Sequence, residues 1–192
     1  FYGGSYEDSQ ESFRDLGLAL MLAILLIYMV MAAQFESLLN PFLILSAIPL
    51  AFIGVIWILF LTATEFNVIS FIGVIIMVGV AVNNGIVLID YIRQLREDHG
   101  YDLFKAIITA GRTRLRPILM TTLTTVIGML PMGLSTGPGS ESSSPMAMPI
   151  VGGLTVTTLL TLFFLPVVYS MVATSTIKRR KRRLSKKEVK NV

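Results

Sequence analysis

The chain has 192 residues, of which 54% are apolar and 15% are charged, and its mean hydropathy is +0.73. A soluble domain carries about a quarter charged residues, so this composition excludes an ordinary globular protein. Without cysteine there is no disulfide framework or thiolate metal site, and the net charge of +4 lies on basic residues beside apolar stretches, which indicates a membrane protein rather than a nucleic-acid binder.

Five charge-free intervals are each long enough to cross a bilayer, which takes about 20 residues. These intervals are 16–35, 37–64, 66–89, 117–140 and 142–177. We therefore predict an all-α membrane protein with five transmembrane helices. The predicted spans lie near residues 16–33, 42–61, 68–89, 117–134 and 146–174.

The first fifteen residues are polar and mostly acidic, and we expect them to be the end of a domain outside the membrane. The chain begins without Met or a recognisable signal peptide, so we expect it to be the carboxy-terminal part of a longer protein.

Pro41 suits the first turn of the second span, because its missing N–H would be unpaired there anyway. Pro49 predicts a kink near Ala47.

The third span carries the adjacent amides Asn83 and Asn84 at membrane depth, where polar side chains usually mark an interior surface. Helical spacing places Gly79, Asn83, Ile86 and Asp90 on one face. Either the amides join helices through hydrogen bonds, or Asn83 belongs to a hydrated path for protons or ions. For Asp90 we favour an anchor at the membrane surface over a proton carrier.

Small residues on the other faces predict close helix packing. The predicted packing positions are Gly79, Ala81, Gly85, Gly128, Gly152 and Gly153. Thr121 and Thr125 in the fourth span offer hydroxyls that either bond back to their own helix or join Asn83 in a polar cluster.

An amphipathic helix is predicted between the third and fourth spans, over residues 101–112, because its apolar residues recur at helical spacing. Gly100 can end the preceding helix and Asp102 can cap this one. A basic tail occupies residues 176–192. If that tail is cytoplasmic, nearly all Lys and Arg residues fall on the cytoplasmic side, as the positive-inside rule expects, and the amino-terminal end lies outside.

Several ordered motifs resemble resistance-nodulation-division (RND) efflux transporters of the hydrophobe/amphiphile type. They are Phe35-Glu36-Ser37-Leu38-Leu39-Asn40-Pro41-Phe42, Ile48-Pro49-Leu50, the stretch 79–90, Arg114-Leu115-Arg116-Pro117-Ile118-Leu119-Met120-Thr121-Thr122, Gly128-Met129-Leu130-Pro131 and Gly137-Pro138-Gly139-Ser140. The resemblance covers essentially the whole chain.

The resemblance implies that these are the last five of twelve helices in a proton-driven homotrimer of a bacterial inner membrane. It implies no cofactor beyond the proton gradient. A periplasmic adaptor and an outer-membrane channel are possible partners. Asn83 matches a position where family members have a lysine that pairs with acids of the first half, so a charge-exchanging relay is not expected to work unchanged. Thr121 matches a relay threonine, and Arg114 matches an arginine near the cytoplasmic proton route. Asn84 belongs to the same relay neighbourhood, because Asn83-Asn84 matches the place of an Asp-Asp pair in the first half of such proteins.

Other functions remain open at this point. A lipid, pigment or protein-export relative would keep the fold, and a structural membrane subunit would lack a transport cycle. The sequence offers no nucleophile–base pair, phosphate loop or metal-ligand cluster, so we expect a transporter rather than an enzyme, with no metal site and no nucleic-acid partner.

Overall fold

The fold is built from helices alone. In this computed structural model the backbone is described for residues 3–190 and the side chains for residues 8–174. The helices are α1 Gly3–Phe35, α2 Leu39–Leu45, α3 Ile48–Thr62, α4 Val68–Glu97, α5 Leu103–Gly133 and α6 Ser140–Lys190. Five helical segments of the described residues are long and apolar enough to cross a membrane, and α2 with α3 forms one of them. The predicted class, an all-α membrane protein with five transmembrane helices, is therefore confirmed.

Helix α6 lies at the centre of the bundle and packs against α3, α4 and α5. Ile150, Leu154 and Leu165 of α6 are fully buried, whereas Phe163 on its far side is exposed. Its described membrane-spanning segment is Ser140–Thr174. The basic tail predicted for residues 176–192 lies outside the residues whose side chains are described.

Helix α1 lies at the edge of the bundle. Only 6% of its most apolar stretch is buried, against 56% in α4, so most of α1 presents apolar side chains outward, as a lipid-facing helix does. The helix begins at Gly3, well before the predicted boundary at residue 16. Near that end, Phe13 packs against Phe66 and Phe71, with ring centroids 6.0 to 6.1 Å apart.

The second span is interrupted where a kink was expected. α2 ends at Leu45 and α3 begins at Ile48, with Ser46 and Ala47 between them. Pro49 lies in the first turn of α3, where a missing N–H leaves no hydrogen bond unmade. The Ser46 hydroxyl donates to the carbonyl of Leu43 at 2.5 Å, which satisfies one of the last carbonyl groups of α2.

Helix α5 differs from the expectation of two separate helices, because it runs without interruption from the surface segment through Pro117 into the membrane. Proline leaves the carbonyl four residues earlier, that of Thr113, without its helical N–H. Both Thr113 and Pro117 are exposed, so water or lipid headgroups can satisfy that carbonyl and the helix continues. Asp102 does occupy the N-cap position, but its side chain accepts no capping hydrogen bond.

Glycines bring α6 into direct backbone contact with two neighbouring helices. A Cβ atom added at Gly54 of α3 lies 2.5 Å from the carbonyl oxygen of Gly152 in α6, and one added at Gly152 lies 2.7 Å from the carbonyl oxygen of Gly54. A Cβ at Gly153 lies 2.7 Å from Cγ of Met77 in α4. At Gly54 and Gly152 no larger residue fits without moving a helix, whereas at Gly153 the Met77 side chain would have to shift.

The other predicted packing positions divide between the two sides of α4 and α5. Ala81 is buried, and a Cβ at Gly85 lies 3.0 Å from Cγ2 of Ile44. Gly79 and Gly128 have no such neighbour within 4 Å. These two glycines therefore pack against no other helix among the described residues, and a contact with the rest of the protein stays a prediction.

Replacing Gly54 by alanine tests the backbone contact between α3 and α6. The added methyl group overlaps the carbonyl of Gly152, and overpacking of this kind typically costs about 1–3 kcal/mol. We expect Gly54→Ala to reduce the yield and the apparent melting temperature of the full-length protein, measured by size-exclusion chromatography after heating.

Gly111→Ala is the matched control, because a Cβ there meets nothing within 4 Å and alanine favours a helix by up to about 1 kcal/mol over glycine. Equal behaviour of the two variants would show that the Gly54–Gly152 contact is not required for the fold.

Candidate functional site

The two adjacent amides of α4 have different surroundings. Asn84 is 6% exposed and lies inside the bundle, whereas Asn83 is exposed. Successive residues of an α-helix are about 100° apart, so adjacent side chains face different neighbours. Only Asn84 reaches other helices of this chain through hydrogen bonds, because none joins Asn83 to another side chain among the described residues.

Asn84 is part of a buried polar network that joins α4, α5 and α6. Its Nδ2 atom donates to Oγ1 of Thr122 at 3.4 Å. Oγ1 of Thr122 lies 2.9 Å from Oγ1 of Thr158, and either hydroxyl can donate. Thr122 and Thr158 are buried. This network links α4, α5 and α6 through side chains that carry no charge.

Two features limit how strongly the network holds the helices together. The bonds to Asn84 are longer than the usual 2.7–3.2 Å range for proteins, which makes them weak. Hydrogen bonds between membrane helices contribute about 0.6 kcal/mol on average. Burying these groups without partners would cost roughly 1–3 kcal/mol for each group, so the network chiefly avoids a penalty and fixes the register of the helices.

Thr121 stands between this network and the exterior. Its hydroxyl donates to the carbonyl of Ile118 at 2.9 Å and approaches Oδ1 of Asn84 at 3.5 Å. One hydroxyl proton cannot serve both acceptors, so the shorter bond to Ile118 dominates and the contact with Asn84 is available on rotation. The structure thus brings Thr121 to Asn84. No hydrogen bond joins Thr121 to Asn83 among the described residues, a pairing that the sequence offers as one of two alternatives.

The face of α4 that includes Asn83 is uncovered within the described residues. Its exposed or half-buried members are Gly79, Asn83, Ile86 and Asp90. The sequence groups these four residues on one helical face, and on the opposite side Ala81 and Gly85 are buried. An exposed amide and carboxylate on an otherwise apolar membrane helix are costly against lipid.

Thr125 makes the structural hydrogen bond that threonines in membrane helices often form, since its hydroxyl donates to the carbonyl of Thr121 at 2.9 Å.

The polar role of α6 was not foreseen from the sequence. Thr158 completes the network, and Oγ1 of Thr157 is buried without a hydrogen-bond partner among the described residues. The signal was available in the four threonines that interrupt an apolar stretch, at positions 155, 157, 158 and 161.

Arg114 lies near the end of the α4–α5 interface where five of the ten arginines of the sequence are found. Its guanidinium carbon is 4.4 Å from the centre of the Tyr91 ring, a cation–π contact. Its Nε atom is buried and has no hydrogen-bond partner among the described residues. Tyr91 therefore orients Arg114 through its ring, and an unused N–H group remains for water or another group.

Comparison with known protein families matches residues 1–173 to the AcrB/AcrD/AcrF family. The cobalt-zinc-cadmium resistance protein CzcA of Cupriavidus metallidurans is 36% identical over 170 residues, or 88% of this chain. The multidrug resistance protein MdtC of Erwinia amylovora is 41% identical over 164 residues, or 85% of this chain. The swarming motility protein SwrC of Bacillus subtilis is 38% identical over 172 residues, or 89% of this chain.

A solved structure supports the same relationship. The X-ray crystal structure of a heavy metal efflux pump superimposes with a TM-score of 0.78 and 34% identity over 88% of this chain. The chain spans only 16% of that pump and 16% of each of the three sequence relatives. The similarity therefore concerns the membrane helices described above.

Replacing Thr122 by valine tests the buried network. Valine has nearly the same shape but no hydroxyl, so the Asn84 amide and the Thr158 hydroxyl both lose a partner. We expect a loss of about 1–3 kcal/mol in the stability of the full-length protein, seen as a lower melting temperature in detergent. Thr124→Val is the control, because Thr124 is exposed on the same helix. Equal melting temperatures would contradict a structural role for the network.

Proposed function

Because the chain belongs to the AcrB/AcrD/AcrF family of RND efflux transporters, we propose that it is part of a proton-driven exporter in a bacterial cytoplasmic membrane. It contributes the last five of twelve membrane helices. The other seven helices and the outer domains belong to the rest of the polypeptide. The exporter is a secondary active transporter rather than an enzyme, and the proton gradient takes the place of a cofactor.

The observation that carries the coupling role is the uncovered polar face of α4. Asn83 is exposed there at membrane depth, although a polar group against lipid is unfavourable. This face is best explained as the contact surface for helices of the first half of the transporter. Asn83 then lies next to groups that are not part of this chain, while Asn84 holds α4 to α5 and α6.

The residues of the site have distinct roles in this proposal. Asn83 donates a hydrogen bond to an acidic group of the facing half, or orders water beside it, because an amide has no charge to exchange. The hydroxyl of Thr121 can rotate so that it donates either to the carbonyl of Ile118 or to Oδ1 of Asn84. It can therefore exchange hydrogen-bond partners at the edge of the path. Arg114, held by Tyr91, borders the path on the basic side of the membrane.

The orientation follows from the arginines and lysines. By the positive-inside rule, their distribution supports a turn between α4 and α5 and a carboxy-terminal end in the cytoplasm, with the amino-terminal end outside. We further propose a homotrimer, with a periplasmic adaptor and an outer-membrane channel as partners where the cell has an outer membrane. Membrane lipids contact the exposed apolar faces.

The proposed substrates are hydrophobic or amphiphilic compounds, the class indicated by the motifs and by the similarity to a multidrug resistance protein. Heavy-metal cations are the second candidate, which the similarity to CzcA and to a heavy metal efflux pump supports equally. A lipid, pigment or protein-export role, or a structural subunit without transport, would keep the same membrane fold. Substrate choice depends on outer domains beyond this chain.

Replacing Asn83 by leucine tests the coupling role. The full-length transporter should insert normally, because Asn83 holds no other helix of this chain, but lose a hydrogen bond to a charged group worth roughly 1.5–3 kcal/mol. We expect export driven by an imposed proton gradient in proteoliposomes to fall by at least about tenfold. Export at the wild-type level at several pH values would reject the coupling role.

Two further variants separate chemistry from position. Asn83→Gln keeps an amide and should retain part of the export activity. Ile76→Leu, two helical turns earlier on the same exposed face, should export like the wild type. If Asn83→Leu instead reduces the amount of transporter in the membrane, the amide is needed for assembly.

The substrate class is tested with the complete transporter in cells that lack their own exporters. We expect expression to lower the accumulation of an amphiphilic fluorescent dye several-fold, in a manner abolished by a protonophore. Reduced accumulation of Zn²⁺ and Co²⁺ with unchanged dye levels would favour the heavy-metal alternative. No change in dye or metal levels would favour the lipid-export or structural alternatives.

A further inference from the structure

A polar cavity of about 600 Å³ opens at the basic side of the membrane, between the ends of α1, α4 and α6 and the start of α2. This volume is within the range of roughly 300–1,000 Å³ that is typical of ligand sites. Among the described residues, its charged and hydroxyl side chains are Glu36, Ser37, Arg93, Arg96, Glu97 and Tyr169. The cavity is separate from the network around Asn84 and has no part in the proposed proton path.

Two of the four charges of the cavity already neutralise one another. Arg93 donates through Nε to both carboxylate oxygens of Glu97, at 2.8 and 2.9 Å. Arg96 makes one hydrogen bond, from Nη1 to the hydroxyl of Tyr169 at 3.4 Å. This hydrogen bond orients the guanidinium. Because a guanidinium has five N–H donors, the other N–H groups of Arg96 can bind a ligand.

Glu36 provides the remaining charge. It lies close enough to Arg93 to interact electrostatically, but no ion pair joins it to a basic side chain among the described residues. Its backbone has a φ of 47°, the left-handed conformation that helix ends usually assign to glycine. A carboxylate at a position that favours glycine suggests a role for the side chain rather than for the backbone.

The cavity also continues into an apolar surface. Phe35 and Leu43 form part of its wall and are buried. Leu38, Leu39 and Phe42 next to them are more than half exposed. A molecule that occupies the cavity can therefore place a charged end among the polar groups and an apolar end along α1 and α2, as a membrane lipid does.

We propose that this cavity binds the headgroup of a phosphatidylethanolamine-class lipid. The phosphate accepts hydrogen bonds from Arg96 and from the outer N–H groups of Arg93. The primary ammonium donates to Glu36 and to the amide oxygen of Asn40, which also lines the cavity. The proposal requires a membrane location on the basic side, but does not depend on the coupling role of Asn83.

Charge complementarity selects this lipid over other common classes. Among the described residues that line the cavity, the charged groups outside an ion pair are one cation and one anion, so a zwitterion with both charges close together matches them. Phosphatidylglycerol has no ammonium for Glu36. Phosphatidylcholine has an ammonium without N–H groups, which cannot donate to a carboxylate and is usually bound by aromatic cages.

The test measures which lipids the full-length transporter retains. The purified protein is stripped of lipid, mixed with vesicles of equal parts phosphatidylethanolamine, phosphatidylglycerol and phosphatidylcholine, repurified and analysed by mass spectrometry. We expect Arg96→Gln and Glu36→Gly to retain one phosphatidylethanolamine fewer per chain than the wild type, with unchanged amounts of the other two lipids.

Glu36→Gly separates binding from folding, because glycine suits the left-handed backbone and should leave the helix end at least as stable. Arg112→Gln and Asp98→Asn are matched controls. Both residues are exposed on the same side of the membrane and lie outside the cavity, so both variants should retain lipids like the wild type.

Three results would overturn the proposal. Wild-type retention of phosphatidylethanolamine by both cavity variants would show that the cavity does not bind it. An equal loss of phosphatidylglycerol would indicate a site for any anionic or phosphate group. Displacement of the lipid by soluble phosphoethanolamine at low concentration would identify the ligand as a solute rather than a lipid.

Discussion

The backbone contact between Gly54 of α3 and Gly152 of α6 determines much of the remaining structure. Within lipid there is no hydrophobic driving force between helices, so close packing of small residues has to supply the attraction. The next residue, Gly153, brings α4 against the same helix through Met77. With α3 and α4 held against α6, the short side chain of Thr122 can reach both Thr158 and Asn84. The polar network thus depends on glycines, which have no side chain that could take part in it.

The number and order of the membrane helices could be predicted, because each span needs about 20 apolar residues and therefore appears in the sequence as a long interval without charged residues. The division of α4 into a packed side and a polar side could also be predicted from helical spacing. Which helices meet the packed side could not, since that depends on contacts far apart in the chain. For this reason the sequence pointed to Asn83 and Thr121, whereas the contacts within the chain belong to Asn84, and Thr158 of α6 was overlooked.

Prolines show why local rules gave mixed results. Pro49 is the second residue after the break at Ser46 and Ala47, because a short helix could end there and a new one could begin with proline in its first turn. Pro117 was expected to begin a new helix and instead lies inside one. The difference arises from the surroundings of the carbonyl that each proline leaves unpaired. An exposed carbonyl can be solvated at the membrane surface, and exposure of a backbone group is a property of the assembled bundle rather than of the sequence nearby.

The hydroxyl pair of Thr122 and Thr158 also gives the interior of the bundle a dielectric response. Either oxygen can act as donor, so rotation about two C–O bonds reverses the local dipole while every heavy atom stays in place. Motions of this kind take picoseconds to nanoseconds, far less than the microseconds to milliseconds of a helix shift. A charge that appears beside Asn84 can therefore be stabilised by reorientation of these dipoles before any helix moves, so the interior can be tightly packed and polarisable at the same time.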